Sequence, residues 1–341
     1  MSLFKKILIV FLIIVNFSVV IRADDGIYVD AQGVVLIEKS TKRVLYEKNM
    51  NERYLTASIA KIMTAVVVIE NANLDEYASV GLDTISQVGS SIYLDEGDKV
   101  KMIDLLYGML LRSGNDAAYL LAKTTSGSVD EFVYLMNQTA KKIGMTSSTF
   151  TNPSGLDEES LNYSTAYDMA ILMAYALDND LFAKVTSSKS YTSKTYNGKL
   201  LHFVNKHKLV LNLDYVTGGK TGYTKSAKRT LVTSAKKDGM ELICVTFNCG
   251  DDWNVHKNLF EYGFNNYKMK TVLKRQIIDL DNQYYEVTPY LPDDLIYPIK
   301  DGEEAKCIVY LLNNPKDFVI GKASLLINNI EVKSVDIYRY Y

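Results

Sequence analysis

The spacing of hydrophobic positions predicts two kinds of element in the first half of this chain. Short runs of apolar, strand-forming residues lie within positions 33–38 and 43–47, on either side of a polar segment, which predicts a β-hairpin. From residue 58 to about residue 70 apolar residues recur every three or four positions, which predicts an amphipathic helix. The same helical spacing continues in four further segments, residues 101–111, 116–124, 129–143 and 165–178.

Strand-like sequence returns after about residue 200. Residues 230–234 and 242–247 are rich in β-branched and other apolar side chains, and residues 252–262 then predict a closing helix. A chain that runs from strands to helices and back to strands favours a single sheet with edge strands supplied by both ends. We therefore predict an α/β (α+β) fold, in which a mixed antiparallel sheet is flanked by helices.

The character of the sequence changes beyond about residue 266. Residues 267–341 alternate Val, Ile and Tyr with polar positions and show no long helical period. Asn328 and Asn329 lie between two such runs, as expected for a hairpin turn. We therefore predict a main domain over residues 24–266 and a small all-β domain over residues 267–341.

The first residues carry an export signal. Lys5 and Lys6 precede an apolar run of 15 residues, positions 7–21, which is shorter than the roughly 20 residues that span a bilayer. A basic segment followed by such a run is typical of a secretory signal peptide. We predict that residues 1–23 direct export and that the rest of the chain works outside the cytoplasmic membrane. Ile21 stands where cleavage prefers a small residue, which leaves retention as an uncleaved anchor open.

Composition excludes several classes of protein. With 48% hydrophobic and 23% charged residues over 341 positions, the chain is neither disordered nor a coiled coil. Its 38 basic and 40 acidic residues give no general attraction to nucleic acid, so no nucleic-acid partner is predicted. Three histidines and the absence of a C-x-x-C pair argue against a metal site.

Individual cysteine, histidine and tryptophan residues add little to this picture. A single Cys244–Cys249 bridge stays open, although buried free thiols are favoured. His202 and His207 are predicted to be surface or structural residues, and Trp253 is predicted to be a core anchor near the closing helix.

Ser58 and Lys61 are the first candidates for chemistry. They stand three positions apart at the start of the predicted helix, so both lie on one helix face. Serine needs a positioned base to act as a nucleophile, and a lysine that is desolvated or crowded by another cation can serve. The positive end of the helix would also favour a developing oxyanion. Taken alone, the pair also fits a helix-start serine beside a solvated lysine.

Two more polar clusters follow along the chain. Ser113 and Asn115 fall between two predicted helices, where a turn would present a hydroxyl and an amide to a cleft or merely cap a helix. Residues 218–222 read Gly-Gly-Lys-Thr-Gly, in which the glycines allow close approach of a ligand and Lys220 and Thr221 offer donors to a carboxylate. A P-loop is excluded because its first glycine has no counterpart.

The three clusters together carry a family resemblance. They read S-x-x-K, S-x-N and K-T-G in that order, which is the set found in penicillin-binding proteins and serine β-lactamases. On these residues the chain resembles the low-molecular-weight penicillin-binding proteins that are serine D-Ala-D-Ala carboxypeptidases (peptidase S11). The match extends through the segments 52–65, 104–118, 152–157, 164–170 and 218–224, and covers about residues 25–265. The resemblance implies the serine β-lactamase/DD-peptidase-like transpeptidase fold, and the β tail is similar more loosely.

The resemblance implies catalysis through an acyl-enzyme. Ser58 would attack the carbonyl between the last two D-alanines of a peptidoglycan stem peptide, and neutral Lys61 would accept its proton. Ser113 would pass a proton to the leaving D-alanine. Asn115 would hold either the Lys61 amine or the substrate backbone. No cofactor or metal is implied.

It also implies a set of substrate-binding residues. Lys220 and Thr221 would bind the terminal carboxylate, with Gly222 beside them. The oxyanion would lie between the backbone N–H groups of Ser58 and Tyr223. β-Lactam antibiotics, as mimics of the dipeptide, would acylate Ser58.

The chain also departs from the family pattern. Thr56 and Ala60 stand where proline and threonine are common, and Ser154 and Asn162 stand where histidine is common. These positions bear on substrate preference rather than on the chemistry. The amphipathic anchor at the family's C-terminal end has no counterpart before Tyr341, so membrane contact is expected only through the N-terminal segment.

Three other functions use the same residues and stay open. A class A β-lactamase shares the triplets, and residues 158–162 fit its E-x-x-L-N pattern. Against it, the middle triplet is S-G-N instead of S-D-N, and a lactamase has no use for 75 further β residues. A non-catalytic penicillin-binding sensor would keep the acylation without turnover. Transpeptidation or endopeptidase activity would change only the acceptor or the substrate.

Overall fold

A computed structural model describes residues 29–158, 160–278, 288–312 and 317–340. The predicted export segment, residues 1–23, lies outside the described residues, as does Glu159 of the lactamase-like pattern. Over the described residues the strands are β1 Ala31–Glu38, β2 Val44–Lys48, β3 Tyr54–Leu55, β4 Tyr77–Ser79, β5 Lys99–Lys101, β6 Tyr163–Ser164, β7 Ser190–Lys194, β8 Leu200–Val204, β9 Val216–Thr224, β10 Lys228–Lys237, β11 Met240–Cys249, β12 Tyr267–Leu273, β13 Gln276–Ile277, β14 Thr288–Leu291, β15 Leu295–Lys300, β16 Ala305–Leu311, β17 Val319–Ile327 and β18 Ile330–Tyr340.

The helices lie almost entirely between β3 and β12. They are a 3₁₀ helix Ala57–Ala60, then α1 Lys61–Asn71, α2 Leu82–Ile85, α3 Met102–Arg112, α4 Asn115–Ser126, α5 Val129–Lys142, α6 Ala166–Ala176, α7 Asp180–Ser187, α8 Lys208–Asn212 and α9 Asp252–Asn266. Within the described ranges, no helix is both long and apolar enough to cross a membrane.

The main sheet has five antiparallel strands in the order β2-β1-β11-β10-β9. Val245 at its centre lies opposite Val35 of β1 on one side and Val232 of β10 on the other. Strand β2 forms one edge and β9 forms the other, so the predicted supply of edges from both ends of the chain is confirmed. Within β9, Lys220 lies opposite Val232, which places the K-T-G triplet on an open edge of the sheet.

Helices cover both faces of this sheet. Alternate residues of β1 and β11 pack against α1 and α3 to α7 on one face, and the intervening residues pack against α8 and α9 on the other. Burial on both faces explains why β11 is an almost continuous apolar run. Helix α1 lies inside the helical layer with residues 61–68 all buried. Lys61 is the one charged residue in that buried stretch, which marks it for a special role.

The C-terminal region is all β, as predicted. Strands β13-β14-β18-β17-β16 form a second five-stranded sheet, and β12 pairs with β15. Asn328 and Asn329 join β17 to β18 with φ values of 51° and 67°, as a type I′ hairpin turn requires. Tyr267, the first residue of β12, still packs in the core beneath α9. The division at residues 266 and 267 therefore stays a prediction.

Arg43, in the hairpin between β1 and β2, contacts the C-terminal region through an ion pair and two aromatic rings. Its guanidinium pairs with Glu303 and lies over the rings of Tyr267 and Tyr297, 5.1 and 5.3 Å from their centroids. The side chains of Arg43 and Glu303 are 13% and 16% exposed. A largely buried, bidentate pair of this kind holds a geometry more firmly than an exposed surface pair.

The three cysteines are free thiols. Cys244 and Cys249 are buried on the same strand, five positions apart, and at the strand rise their Cα atoms are separated by roughly 16 Å. A disulfide needs Cα atoms within about 7 Å, so the bridge left open by the sequence does not form.

Candidate active site

Ser58 lies in the short 3₁₀ helix that leads into α1, not in the first turn of the α-helix that the sequence predicted. The residue before it, Ala57, has a left-handed backbone with φ of 46°, a conformation that costs energy for any residue other than glycine. Two glycines crowd this turn. A Cβ on Gly155 would stand 1.8 Å from the Ala57 carbonyl oxygen, and one on Gly222 would stand 2.9 Å from the Ser58 nitrogen. The backbones of Gly155 and Gly222 therefore pack directly against this turn, with no room for a side chain at either position.

Lys61 is fully buried behind Ser58. Its Nζ lies 3.1 Å from Ser58 Oγ, 2.7 Å from Asn115 Oδ1, and in hydrogen-bonding contact with the Ser154 carbonyl oxygen. Burial lowers the pKa of Lys61 well below its usual value, and the charge of Lys220 lowers that pKa further. A neutral amine at this position can accept the proton of the Ser58 hydroxyl.

Asn115 contacts the lysine amine. Its Oδ1 accepts from Lys61, and its Nδ2 donates to the Val88 carbonyl oxygen at 2.7 Å. The Lys61 amine, one of the two partners that the sequence left open, is thus in contact with Asn115, and a contact of the second Nδ2 hydrogen with the substrate backbone stays a prediction. Ser154, where the family often has histidine, contacts Lys61 only through its backbone carbonyl. That contact does not depend on the side chain at residue 154.

Ser113 and Lys220 form the second pair. Ser113 ends α3 in a left-handed conformation with φ of 65°, which turns its side chain out of the helix. Its Oγ lies 3.1 Å from Lys220 Nζ, and Lys220 also donates to the Thr221 carbonyl oxygen at 2.8 Å. Burial lowers the pKa of Lys220 to about 7, with a smaller contribution from the charge of Lys206.

Strand β9 runs past Ser58 as an open edge. The sequence predicted no element for residues 218–222, because glycine is depleted in strands; they lie inside β9. Alternate N–H and C=O groups of an edge strand point away from its partner strand and are free to pair with a ligand. Tyr223 is 63% exposed on this edge. The strand therefore offers Thr221, Gly222 and Tyr223 to a peptide lying beside Ser58.

These elements enclose a cleft of about 420 Å³. Ser58, Ser113, Thr221, Gly222 and Tyr223 line it, whereas the side chains of Lys61, Asn115 and Lys220 are buried behind its wall. The structure therefore brings all eight predicted site residues to one place, with the nucleophile candidate at the surface of the cleft and the amines beneath.

Seven further residues of the cleft were not predicted as site residues from the sequence, namely Ser90, Lys206, Lys208, Arg229, Thr230, Asp252 and Trp253. Arg229 of β10 donates to both carboxylate oxygens of Asp252, at 2.6 and 3.1 Å, and lies 5.4 Å over the Trp253 ring. Trp253 packs against the core on the α9 side of the sheet, as predicted, and its partly buried ring also lines the cleft. No local pattern marks these residues, since they come from four separate places in the chain: the loop at residue 90, the segment 206–208, the start of β10 and the start of α9.

A buried hydroxyl and imidazole network supports β9 from behind. Thr233 Oγ1 lies 3.0 Å from His207 Nε2 and 2.9 Å from His256 Nδ1. Burial lowers the pKa of His207 to about 3, and that of His256 well below its usual value, so both rings are neutral at pH 7. A Cβ on Gly219 would stand 2.5 Å from His207 Nε2. His207 is therefore a structural residue packed against the backbone of the binding strand.

Metal ligation is not indicated by the side chains at this site or elsewhere in the described ranges. Across the chain outside the gaps at residues 1–28, 159, 279–287, 313–316 and 341, no three His, Cys, Asp or Glu side chains converge as metal ligands.

Comparisons of sequence identify one family. A sequence profile of peptidase S11, described as D-alanyl-D-alanine carboxypeptidase, matches residues 20–250. D-alanyl-D-alanine carboxypeptidase DacF of Bacillus subtilis (strain 168) is 35% identical over 254 residues, or 72% of this chain and 65% of that protein. D-alanyl-D-alanine carboxypeptidase DacC of Escherichia coli (strain K12) is 35% identical over 264 residues, or 72% of this chain and 64% of that protein. The chain thus spans just under two thirds of the length of these two relatives.

Comparisons of structure extend over nearly the whole chain. Penicillin binding protein 5 from Haemophilus influenzae superposes with a TM-score of 0.81 at 28% identity, covering 92% of this chain and 97% of that one. D-alanyl-D-alanine carboxypeptidase DacD from Francisella tularensis superposes with a TM-score of 0.75 at 25% identity, covering 93% and 94%. The predicted fold class, including the C-terminal all-β region, is confirmed.

Proposed function

Since this chain belongs to the peptidase S11 family of D-alanyl-D-alanine carboxypeptidases, we propose that it is a serine-type D-Ala-D-Ala carboxypeptidase. It is a hydrolase that removes the terminal D-alanine from peptidoglycan stem peptides, and β-lactams acylate it. The observation that carries this proposal is the fully buried Lys61 amine 3.1 Å from the hydroxyl of Ser58. A buried amine beside a half-exposed serine has the geometry and the protonation state of a nucleophile with its general base.

Acylation begins with proton transfer from Ser58 to Lys61. Asn115 and the Ser154 carbonyl accept hydrogen bonds from the Lys61 amine and hold it in place. The substrate does not disturb these contacts, so they fix the direction of the amine's lone pair. Ser58 Oγ then forms a bond with the carbonyl carbon of the penultimate D-alanine. Backbone N–H groups of Ser58 and Tyr223 stabilise the oxyanion, and such donors are worth roughly 10²- to 10³-fold each in kcat.

Collapse of the tetrahedral intermediate breaks the C–N bond. Ser113 donates a proton to the leaving nitrogen, so that in net terms the proton of Ser58 leaves with D-alanine. The ammonium of Lys220, 3.1 Å from Ser113 Oγ, keeps this hydroxyl in place. Water then attacks the acyl-enzyme ester, releases the shortened stem peptide and restores Ser58.

Lys220 and Thr221 bind the terminal carboxylate of the substrate. Lys220 is a cation below about pH 7, and an incoming carboxylate favours its protonated form. Arg229 adds a second positive group on the wall of the same cleft, although Asp252 already neutralises it. Lys206 and Lys208 make the mouth of the cleft positive as well, which favours an anionic peptide end.

The pH dependence of kcat/KM should reveal the charge on Lys220. Because its pKa is about 7, the carboxylate-binding cation is lost as the pH rises through 7, and kcat/KM of the free enzyme is expected to fall on the alkaline side. In Lys220→Arg, the guanidinium stays charged throughout this range, so the alkaline limb should move beyond pH 9. Profiles between pH 5 and 10 check this. An alkaline limb at the same pH in both proteins would assign it to another group.

The proposed enzyme acts outside the cytoplasmic membrane, where stem peptides are found. Residues 1–23 are the proposed export signal, with membrane contact only through that segment. The sequence pattern of Lys5, Lys6 and the apolar run supports this location.

A single assay tests the proposal against its alternatives. Purified residues 24–341 are incubated with a diacetylated tripeptide ending in Lys-D-Ala-D-Ala, and free D-alanine is followed, with benzylpenicillin hydrolysis in parallel. We expect release of D-alanine that penicillin blocks, together with slow penicillin turnover. Rapid penicillin turnover without D-alanine release would instead make the protein a β-lactamase, and stable acylation without either turnover would make it a sensor.

A further inference from the structure

Strand β16 is an edge of the C-terminal sheet that no other described strand covers. The sheet runs β13-β14-β18-β17-β16, so β16 pairs with β17 on one side only. Its pairing is regular over all seven residues, from Ala305 opposite Ile327 to Leu311 opposite Gly321. An open edge of this kind presents a row of backbone N–H and C=O groups to another strand.

The direction of these backbone groups follows from the ladder with β17. The N–H of Leu312 donates to the Ile320 carbonyl oxygen, and the N–H of Asn328 donates to the Glu304 carbonyl oxygen. Hydrogen-bonded residues alternate along an antiparallel strand, so the even-numbered residues of β16 bond to β17. The odd-numbered residues, 305, 307, 309 and 311, therefore direct their N–H and C=O groups outward from the sheet.

The exposed face of β16 is apolar beside this edge. Ile308 and Tyr310 are 38% and 55% exposed. They alternate with Cys307 and Val309, which pack toward the core of the C-terminal region. Lys306 is the one charged residue of the strand. A regular edge strand with exposed apolar side chains is a template for pairing with another chain.

The other edges of the two five-stranded sheets are blunted or already used. Strand β9 faces the catalytic cleft. The pairing of β1 with the edge strand β2 shifts register between Leu36 and Ile37. Strand β13, at the opposite edge of the C-terminal sheet, has only two residues. Short strands and bulges are the usual protection against edge pairing, and β16 has neither.

Pairing of β16 with a second copy of itself is complementary in one antiparallel register. Ile308 is the central residue of the strand, so a two-fold axis beside it pairs all seven residues. Residue 307 of one copy then exchanges hydrogen bonds with residue 309 of the other, and residue 305 with residue 311. On the outer face Ile308 lies opposite Ile308, and Lys306 lies opposite Tyr310. Apolar and cation–aromatic pairs of this kind stabilise a sheet, and no like charges oppose each other.

We propose that β16 joins two copies of this protein into a dimer with one continuous antiparallel sheet. A second copy is the occupant because the strand matches itself in hydrogen-bonding pattern, in apolar contact and in charge. Each copy has one β16 edge, so the assembly closes at two chains. A strand pair is a small interface, and we expect a concentration-dependent dimer with Kd on the order of 10 µM. The dimer does not require the proposed enzymatic activity.

Cysteine cross-linking tests the register of this dimer. Opposite residues of a non-hydrogen-bonded pair have Cα atoms about 4.5 Å apart, which suits a disulfide. In a Cys307→Ser background, Ile308→Cys should therefore give a disulfide-linked dimer under mild oxidation at about 50 µM protein, above the expected Kd. Tyr310→Cys is the matched control, because the two copies of residue 310 lie roughly 13 Å apart along the strand. Adding Lys306→Cys to it should restore the cross-link, as read on a non-reducing gel.

Two further variants test the edge in solution. Val309→Pro removes an outward N–H and leaves the bonds to β17 in place, as proline does on an edge strand. Ile308→Lys puts two like charges opposite each other at the two-fold axis. Each should raise the dimer Kd by at least about tenfold in sedimentation equilibrium, with thermal unfolding to confirm that it is folded. Ser334→Lys, on the same face two strands from the edge, is the matched control.

Three results would overturn this dimer. A protein that stays monomeric up to about 200 µM, with no cross-link in Ile308→Cys, has no second copy on β16. Equal cross-linking in Ile308→Cys and Tyr310→Cys would show that the two strands do not pair in this register. A dimer that neither Val309→Pro nor Ile308→Lys weakens would have its interface elsewhere. Loss of D-alanine release would bear on the proposed function alone, because none of these measurements uses it.

Discussion

Ser58→Ala is expected to abolish both D-alanine release and covalent labelling by a fluorescent penicillin. The Ser58 hydroxyl lies 3.1 Å from the neutral amine of Lys61, which can accept its proton. Removing a serine nucleophile lowers turnover by roughly five to six orders of magnitude. The fold should be unaffected, because the side chain is half-exposed and its hydrogen bond is to Lys61 alone among the contacts resolved for it. Gel fluorescence and the D-alanine assay measure the two losses.

A serine far from the cleft provides the control variant for this experiment. Ser334 is exposed on β18 in the C-terminal region, and Ser334→Ala should retain labelling and turnover. Thermal unfolding of Ser58→Ala should fall within about 2 °C of the unmodified protein. Retained penicillin labelling in a folded Ser58→Ala protein would assign the acylated residue elsewhere.

Lys61→Met is expected to lower kcat/KM by about 10²- to 10⁴-fold, the usual contribution of a general base. Methionine fills a similar volume but cannot accept a proton. Stability should change by less than about 2 kcal/mol, since two effects oppose each other. Removing the buried amine relieves its desolvation, because the unfolded lysine is protonated at pH 7 while the folded one is not. Against this, Asn115 Oδ1 and the Ser154 carbonyl lose their donor.

Two measurements check the role of Lys61. Steady-state kinetics give the loss in kcat/KM, and the rate of penicillin acylation should fall in parallel, because both reactions need the same proton transfer. Lys237→Met, at the exposed end of β10, should leave both rates unchanged. A Lys61→Met protein that keeps more than about a tenth of its kcat/KM would show that another group activates Ser58.

Most elements of the fold were predictable from local pattern, and the exceptions have physical reasons. The helices around residues 102–112, 115–126 and 129–142 appear within two positions of their predicted bounds. Strand β9 was missed because three of its nine residues are glycine, and only pairing with β10 makes it a strand. At Ser58 the sequence predicts α-helix, whereas the structure has a 3₁₀ turn. This conformation follows from packing against Gly155 and Gly222, which are distant in the sequence.

The candidate site likewise has residues that the sequence predicts and residues that only the structure identifies. The three triplets name Ser58, Lys61, Ser113, Asn115 and Lys220 without a structure, because each is a local sequence pattern. The sequence offered Asn115 two partners, and the structure shows the contact with the Lys61 amine. Arg229, Asp252 and Trp253 carry no pattern, and they reach the cleft only because β10 and α9 begin beside it.

By itself, the sequence determined the order of elements, the family and the chemical identity of the reactive groups, because periodicity and short motifs are local properties of the chain. Tertiary structure decided what those groups can do. Lys61 becomes a base only when α1 is buried on all sides, and Lys220 is tuned to a pKa of about 7 only by its burial. The distances between the triplets come from contacts between residues more than fifty positions apart, and no local pattern encodes such contacts.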